Sequence, residues 1–120
     1  MDDEVPVLHL MAEVLQGAGY STVEIASPVE ALRKVKFHKF DALVLDVYMP
    51  EMSGLLFHAK LKLLDPVLSE RTLFVSGKVT RDELRRHFES QPNFLLKPFD
   101  IGEFTRRVAA ILPPKPRAAA

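Results

Sequence analysis

The sequence predicts a single α/β domain in which helices cover both faces of a parallel β-sheet. Three short apolar runs, DALVLD at 41–46, TLFVS at 72–76 and FLL at 94–96, have the length and composition of buried strands. Segments with apolar residues at helical spacing lie before, between and after these runs. Strands that alternate with helices in this way are typical of a parallel sheet with helical connections.

The first part of the chain predicts a helix, a strand and a second helix. Apolar residues recur at helical spacing over 7–18, and the sequence GAGY at 17–20 ends that pattern. The alternation at 23–25 predicts a short strand. The sequence SPVE at 27–30 is a capping box with proline at the first helical position, so a helix is expected over 28–37.

The second part predicts strands at the three apolar runs, with helices between and after them. A helix is expected after Gly54, a further helix from Thr80, and a last helix capped by Asp100. The residues expected to face the core from the helix after Gly54 are Leu56, Leu63 and Leu64. One domain is therefore expected over 1–112, and the sequence PPKPRAAA predicts a disordered tail at 113–120.

Composition excludes several classes of function. Lys plus Arg and Asp plus Glu each number 16, so no net charge favours nucleic acid or an anionic membrane. The absence of cysteine excludes disulfides, thiolate zinc sites and cysteine nucleophiles. No apolar run approaches the roughly 18 residues of a membrane span, and the start has no apolar leader, so a cytoplasmic location is expected.

Polar residues stand at the carboxyl ends of the three buried strands. Asp46 ends LVLD, Ser76 ends TLFVS and Lys97 follows FLL. Each residue alone is most often part of a turn, but ligands of open α/β sheets bind at this edge. A carboxylate, a hydroxyl and an ammonium group at one edge indicate phosphoryl transfer.

The motifs LVLDVYMPEMSG at 43–54, VSG at 75–77 and FLLKPF at 94–99, in this order after DDE at 2–4, resemble the receiver domain of two-component response regulators. The resemblance covers nearly the whole chain. It implies a flavodoxin-like, doubly wound parallel sheet. It also implies that Asp46 takes a phosphoryl group from a histidine kinase or phosphotransfer protein. Such a domain switches a protein-interaction face and is not a turnover enzyme.

The resemblance also implies a metal site. Asp3, Asp46 and the backbone carbonyl of Tyr48 would hold Mg²⁺, and Asp2 would assist through a water molecule. Magnesium prefers oxygen ligands and usually keeps several waters. Its charge would offset the repulsion between the aspartate and the incoming phosphoryl group.

Three further roles follow from the same resemblance. Lys97 would pair with the phosphoryl oxygens, and Ser76 would donate its hydroxyl to another of them. Phe94 stands at the position of the family's switching aromatic residue, and its ring would turn inward once Ser76 moves. The Lys97–Pro98 peptide bond is expected to be cis.

One departure from the family concerns the sheet. The family has an apolar strand before its acid pair, where this chain has only Met1, so four strands and five helices are expected. The missing strand would leave two open strand edges. Either the strand at 23–25 packs directly against DALVLD, or a second chain fills the opening by strand addition or swapping. We favour the second solution, which predicts a homodimer.

Two alternatives belong to other functional classes. The first is a pseudo-receiver, a phosphorylation-independent interaction module whose damaged acid pocket holds no metal. The second is a phosphatase of the haloacid dehalogenase type, which also uses an aspartate nucleophile. That class needs a second aspartate two residues after the nucleophile, where this chain has Tyr48.

Overall fold

The computed structural model describes residues 1–2, 4–49, 51–77, 82 and 93–112. The helix expected from Thr80 lies outside the described residues, except for the helical residue Asp82, and so does the tail at 113–120. In chain order the elements are α1 (Val5–Gly17), α2 (Pro28–Phe37), β1 (Leu43–Asp46), α3 (Gly54–Leu64), α4 (Pro66–Glu70), β2 (Thr72–Ser76), β3 (Asn93–Leu96) and α5 (Ile101–Ile111).

The three predicted apolar runs form one parallel sheet in the order β1-β2-β3. Leu45 of β1 lies opposite Phe74 of β2, which in turn lies opposite Phe94 of β3. Every residue of β2 is buried, as expected for a central strand covered on both faces. The predicted α/β fold with a parallel sheet is therefore confirmed.

Alternate residues of the strands pack into cores on opposite faces of the sheet. On one face, Phe74 packs with residues of α2, α3 and α4. On the other face, its neighbours Leu73 and Val75 pack with residues of α1 and α5. The strand ends are consequently held between two helical layers, and the residues that follow them meet at one edge.

The prediction of four strands is wrong by one strand. Residues 23–25 are not a strand of the sheet, which has three strands over the described residues. A β-strand forms a row of backbone hydrogen bonds with a neighbouring strand. Among the described residues this segment has one such bond, which the Asp2 N–H donates to the Ile25 carbonyl oxygen at 3.3 Å. Residues 23–25 do not pair with β1 either, because Met1 lies between the two segments and donates a hydrogen bond to β1.

The helix boundaries follow the predicted capping signals. The Ser27 hydroxyl accepts the N–H of Glu30 at the start of α2, and the Asp100 carboxylate accepts the N–H of Gly102 at the start of α5. The short helix α4 was not predicted. Its cap is Asp65, whose carboxylate accepts the N–H of Leu68.

The predicted core face of α3 is wrong. Leu56, Leu63 and Leu64 are exposed, with Leu63 at 86% of its surface, and the helix instead buries Phe57, His58 and Leu61. Phe57 and Leu61 pack in the core with Phe74, and the ring of His58 also lies against Phe74. The helix therefore buries the face that carries its phenylalanine, and the three leucines lie on other faces.

Candidate functional site

The site is built around Asp46, the last residue of β1. Its side chain lies among the core residues and the whole residue is 4% exposed. One carboxylate oxygen, Oδ1, accepts the backbone N–H of Tyr48 at 3.2 Å, which fixes the carboxylate in the turn after the strand. The other oxygen, Oδ2, remains directed toward Lys97.

Met1 and Asp2 bring a second carboxylate to the same place through backbone hydrogen bonds. The Met1 amino group donates to the Val44 carbonyl oxygen at 2.5 Å, and the Asp46 N–H donates to the Met1 carbonyl oxygen at 2.9 Å. On its other side the Asp2 N–H bonds to Ile25. This is the bonding pattern of a parallel strand, and it holds the fully buried Asp2 beside Asp46.

Lys97 joins the two carboxylates. Its Nζ lies 2.7 Å from Asp2 Oδ2 and 3.2 Å from Asp46 Oδ2. The lysine follows β3 directly, and its backbone N–H donates to the carbonyl oxygen of Ser76 at 3.2 Å. The Lys97–Pro98 peptide bond is cis, as predicted. The predicted meeting of Asp46, Ser76 and Lys97 at one edge of the sheet is therefore observed.

The charges of this site change the pKa values of its members. Burial and the negative charge of Asp2 raise the pKa of the Asp46 carboxyl, although Tyr48 and Lys97 oppose the shift. Burial opposes protonation of Lys97, but hydrogen bonding to Asp2 and the charges of both aspartates outweigh it and raise the lysine pKa. Burial lowers the pKa of the Met1 amino group to about 6. Lys97 is therefore the firmly charged cation of the site.

The carboxylates of the site suit a hard divalent cation. Oxygen atoms of Asp2, Glu4 and Asp46 all lie within 4.8 Å of one another. Such a set of oxygen ligands fits Mg²⁺, which needs only one or two carboxylates together with waters. Glu4 was not among the predicted ligands, although the third acid of DDE was a visible signal for it. Asp3, the predicted direct ligand, lies outside the described residues.

The other predicted site residues, Ser76, Phe94 and Tyr48, differ in how deeply they are buried. Ser76 is 2% exposed at the end of β2, one strand away from Asp46. Phe94 is half-buried in β3 and packs against the core formed with α2 and α3. Tyr48 is 45% exposed in the turn after Asp46. The hydroxyl and the aromatic ring thus lie in adjacent strands.

Replacing Asp2 with asparagine is expected to lower the pKa of the Asp46 carboxyl. The buried Asp2 charge disfavours ionisation of Asp46, and an amide of nearly equal size removes that charge. A carbon-detected NMR titration of the Asp46 carboxyl without metal measures the change. Asp41→Asn is the matched control, because Asp41 is exposed and lies outside the cluster of acids around Asp46. An unchanged Asp46 titration in Asp2→Asn would contradict this account.

Comparison with known proteins agrees with this geometry. The family described as the response regulator receiver domain matches residues 1–109. Sporulation initiation phosphotransferase F of Bacillus subtilis (strain 168) is 28% identical over 115 residues, which cover 96% of this chain and 92% of that protein. The alkaline phosphatase synthesis transcriptional regulatory protein PhoP of the same organism is 30% identical over 93% of this chain. The chain spans about half of PhoP, 46% of its length.

Solved structures show the same fold. The beryllofluoride-activated receiver domain dimer of NtrC4 superposes with a TM-score of 0.83 at 26% identity, covering 92% of this chain and 91% of that chain. Within the described residues, no helix is long and apolar enough to cross a membrane. A family match over residues 1–109, a parallel sheet and an Asp–Lys site at its carboxyl edge lead to one conclusion: the chain belongs to the response regulator receiver domain family of two-component systems.

Proposed function

We propose that this domain is a phosphoacceptor, and that Asp46 receives a phosphoryl group from the phosphohistidine of a histidine kinase or phosphotransfer protein. The observation that carries the proposal is the contact between the buried Asp46 carboxylate and Lys97 Nζ, at 3.2 Å. A carboxylate at a strand end with a fixed cation beside it is arranged to accept an anionic group. The family membership supports the same assignment.

The transfer is a substitution at phosphorus. An oxygen of the Asp46 carboxylate forms the new P–O bond, the P–N bond to the partner's histidine breaks, and the leaving imidazole takes up a proton. Lys97 would move from its two carboxylate partners toward the phosphoryl oxygens, and the Ser76 hydroxyl would donate to another of them. Both residues would thereby stabilise negative charge that the reaction brings to Asp46.

We also propose that Mg²⁺ binds beside Asp46. Asp2, Glu4 and Asp46 carry the carboxylates that are close enough together to hold it. Asp3 and the Tyr48 carbonyl remain proposed ligands from the family resemblance. When bound, the cation supplies positive charge that offsets the repulsion between the carboxylates and the phosphoryl group.

Incubation with acetyl phosphate and Mg²⁺ is expected to add one phosphoryl group to the protein, as measured by intact mass. Asp46→Asn is expected to abolish the addition, because the amide is not a nucleophile for this step. Asp41→Asn is the matched control, since Asp41 is exposed and lies ahead of the same strand. It is expected to be labelled like the wild-type protein.

An unlabelled wild-type protein at saturating donor would overturn the proposal. A folded protein that also fails to bind Mg²⁺ would instead be the pseudo-receiver, an interaction module that acts without phosphorylation. Thermal unfolding of each variant distinguishes loss of the reaction from loss of the fold. Labelling that persists in Asp46→Asn would place the phosphoryl group on another residue.

Ser76 and Phe94 are proposed to carry the switch from Asp46 to a protein-interaction face. The sequence contains no tryptophan, so Phe94→Trp introduces a unique fluorescent reporter at this half-buried position. Adding beryllofluoride and Mg²⁺ is expected to change its emission, since NtrC4, a relative, is described as beryllofluoride-activated. The change should disappear when Ser76→Ala is added to the reporter. An equal change without the Ser76 hydroxyl would contradict the proposed coupling.

A further inference from the structure

The side of α3 that points away from the sheet carries an exposed apolar stripe. Leu56 is 49% exposed and Leu63 is 86% exposed, and Ala59 between them is also exposed. Positions i, i+3 and i+7 of an α-helix lie on one side, so the three side chains form a stripe two turns long, or about 10.5 Å. The opposite side of α3 buries Phe57 and Leu61 in the core. A single exposed leucine is ordinary, but a contiguous apolar stripe marks a contact surface.

Two exposed lysines border this stripe. Lys60 lies on one side of it, within one turn of both leucines, and Lys62 lies on the other side. The helix itself has no acidic residue, and the acids nearest to it in sequence, Glu51 and Asp65, lie beyond its two ends. The stripe and the lysines together are the outer face of α3, which consists of Leu56, Ala59, Lys60, Lys62 and Leu63. This face has positive charge on both sides of an apolar centre.

The spacing along the outer face of α3 suits a second helix. Four of its residues stand at positions i, i+3, i+4 and i+7, namely Leu56, Ala59, Lys60 and Leu63. Four residues at this spacing form the hole that receives one side chain of a facing helix. The side chain of Ala59 is a methyl group, so the middle of the hole has room for a leucine or another large apolar side chain. Helices that pack in this way lie about 8–10 Å apart.

We propose that the outer face of α3 is a docking site for an acidic amphipathic helix of a partner protein. Apolar side chains of that helix would pack on the stripe, and its aspartates or glutamates would pair with Lys60 and Lys62. The face contains none of Asp46, Ser76 and Phe94, so it is distinct from the proposed phosphoacceptor site and its switch.

The charges of this face make two other occupants less suitable. A second copy that packed α3 against α3 would bring the lysines of both copies together, and like charges disfavour such a contact. An anionic membrane is held by clusters of about four to eight basic residues, whereas the described face offers Lys60 and Lys62. An acidic helix meets both lysines and the stripe at once.

The test uses the full chain and a helical peptide of three heptads, with leucine at positions a and d, glutamate at e and g, and alanine or glutamine elsewhere. Repulsion between the glutamates of two peptides opposes pairing of the peptide with itself. Saturable 1:1 binding is expected by isothermal titration calorimetry, and it is expected to weaken as NaCl is added. The control peptide has lysine in place of every glutamate, and its binding is expected to be at least tenfold weaker.

A leucine variant locates the apolar contact. Leu63→Ala is expected to weaken binding of the glutamate peptide at least tenfold, and to leave the melting temperature unchanged because Leu63 is exposed. Leu10→Ala is the matched control, since Leu10 is an exposed leucine of α1, on the other face of the sheet. It is expected to bind the peptide like the wild-type chain.

A charge-reversal variant tests the role of the lysines. Lys60→Glu combined with Lys62→Glu is expected to reverse the preference, so that the lysine peptide binds more tightly than the glutamate peptide. Arg106→Glu combined with Arg107→Glu makes the same change of charge at exposed positions of α5 and is expected to keep the wild-type preference. A reversed preference cannot result from loss of the fold, because an unfolded variant would lose binding of both peptides.

Several results would overturn the proposal. The glutamate peptide could fail to bind the wild-type chain, or the two peptides could bind it equally well. A dimer in sedimentation that Leu63→Ala dissociates would show that a second copy covers the face instead. Co-sedimentation with vesicles of phosphatidylcholine and phosphatidylglycerol that Leu63→Ala abolishes would show that the face binds lipid. Labelling of Asp46 by acetyl phosphate is a separate measurement, so the docking site and the proposed phosphoacceptor can fail independently.

Discussion

Replacing Lys97 with methionine is expected to destabilise the metal-free domain by about 3–5 kcal/mol, the range for removing one partner of a buried ion pair. Lys97 Nζ contacts both Asp2 and Asp46, whose side chains are 0% and 6% exposed, and methionine leaves their charges without this cation. Urea unfolding in the presence of a chelator measures the loss. Mg²⁺ is expected to recover part of this loss, because its proposed site lies between the same carboxylates of the folded state.

The destabilisation caused by Lys97→Met is expected to become smaller as the pH is lowered. The pKa of Asp46 is already raised in the folded protein by burial and Asp2, and removing Lys97 takes away a charge that opposes the shift. The folded state then binds more protons than the unfolded state over the range above the ordinary aspartate pKa, so acidification favours folding. A loss that is independent of pH would contradict this explanation.

Lys34→Met is the matched control for Lys97→Met. Lys34 makes an exposed i,i+4 pair with Glu30 at 3.7 Å, and pairs of this kind contribute about 0.3–0.5 kcal/mol. The control is therefore expected to unfold at nearly the wild-type urea concentration, with no response to Mg²⁺ beyond that of the wild type. Equal destabilisation by the two variants would show that the buried contacts of Lys97 are not its main contribution.

Replacing Gly54 with alanine is expected to destabilise the domain by about 1–3 kcal/mol and to slow phosphorylation of Asp46. A Cβ atom at Gly54 would lie 2.2 Å from the carbonyl oxygen of Asp46 and 2.8 Å from the Cα of Val47. Both are backbone atoms, which no side-chain rotation can move away, so the end of β1 or the start of α3 must shift. Either shift displaces the carboxylate of Asp46, the proposed phosphoacceptor.

Thermal unfolding and the rate of labelling by acetyl phosphate measure the two effects of Gly54→Ala. Gly17→Ala is the control, because a Cβ at Gly17, the last residue of α1, meets nothing within 4 Å among the described residues. This control is expected to be neutral or stabilising by up to about 1 kcal/mol. Wild-type stability and labelling in Gly54→Ala would show that the close contact is relieved at no cost.

Much of the fold could be predicted from local sequence patterns. The runs LVLD and TLFVS became strands because short apolar segments are compatible with burial on both faces of a sheet. The starts of α2 and α5 followed Ser27 and Asp100, because a capping side chain satisfies the N–H groups of its own helix. These are interactions within a few residues of the chain, and the sequence contains all the information they need.

The predicted part of the site also depended on a topological rule. Asp46, Ser76 and Lys97 each follow a strand of one parallel sheet, and parallel strands end at the same edge. Their proximity therefore follows once the strands are identified. The rule does not say which atoms bond to each other or which further carboxylates join the site.

Tertiary structure decided the contacts between distant segments. Lys97 pairs with Asp2 across 95 positions of sequence, and Glu4 joins the acid cluster. In α3 the core takes Phe57 and Leu61, and Leu63 is left exposed. Tertiary contacts also decided that residues 23–25 are not a strand. A strand forms only beside a partner strand, and Asp2 supplies a single hydrogen bond to this segment. By itself the sequence determined the local elements and the edge of the sheet on which Asp46, the proposed phosphoacceptor, lies. The packing of elements far apart in the chain determined the ion pairs of the site, since the free energy of each pair depends on neighbours that no local pattern encodes.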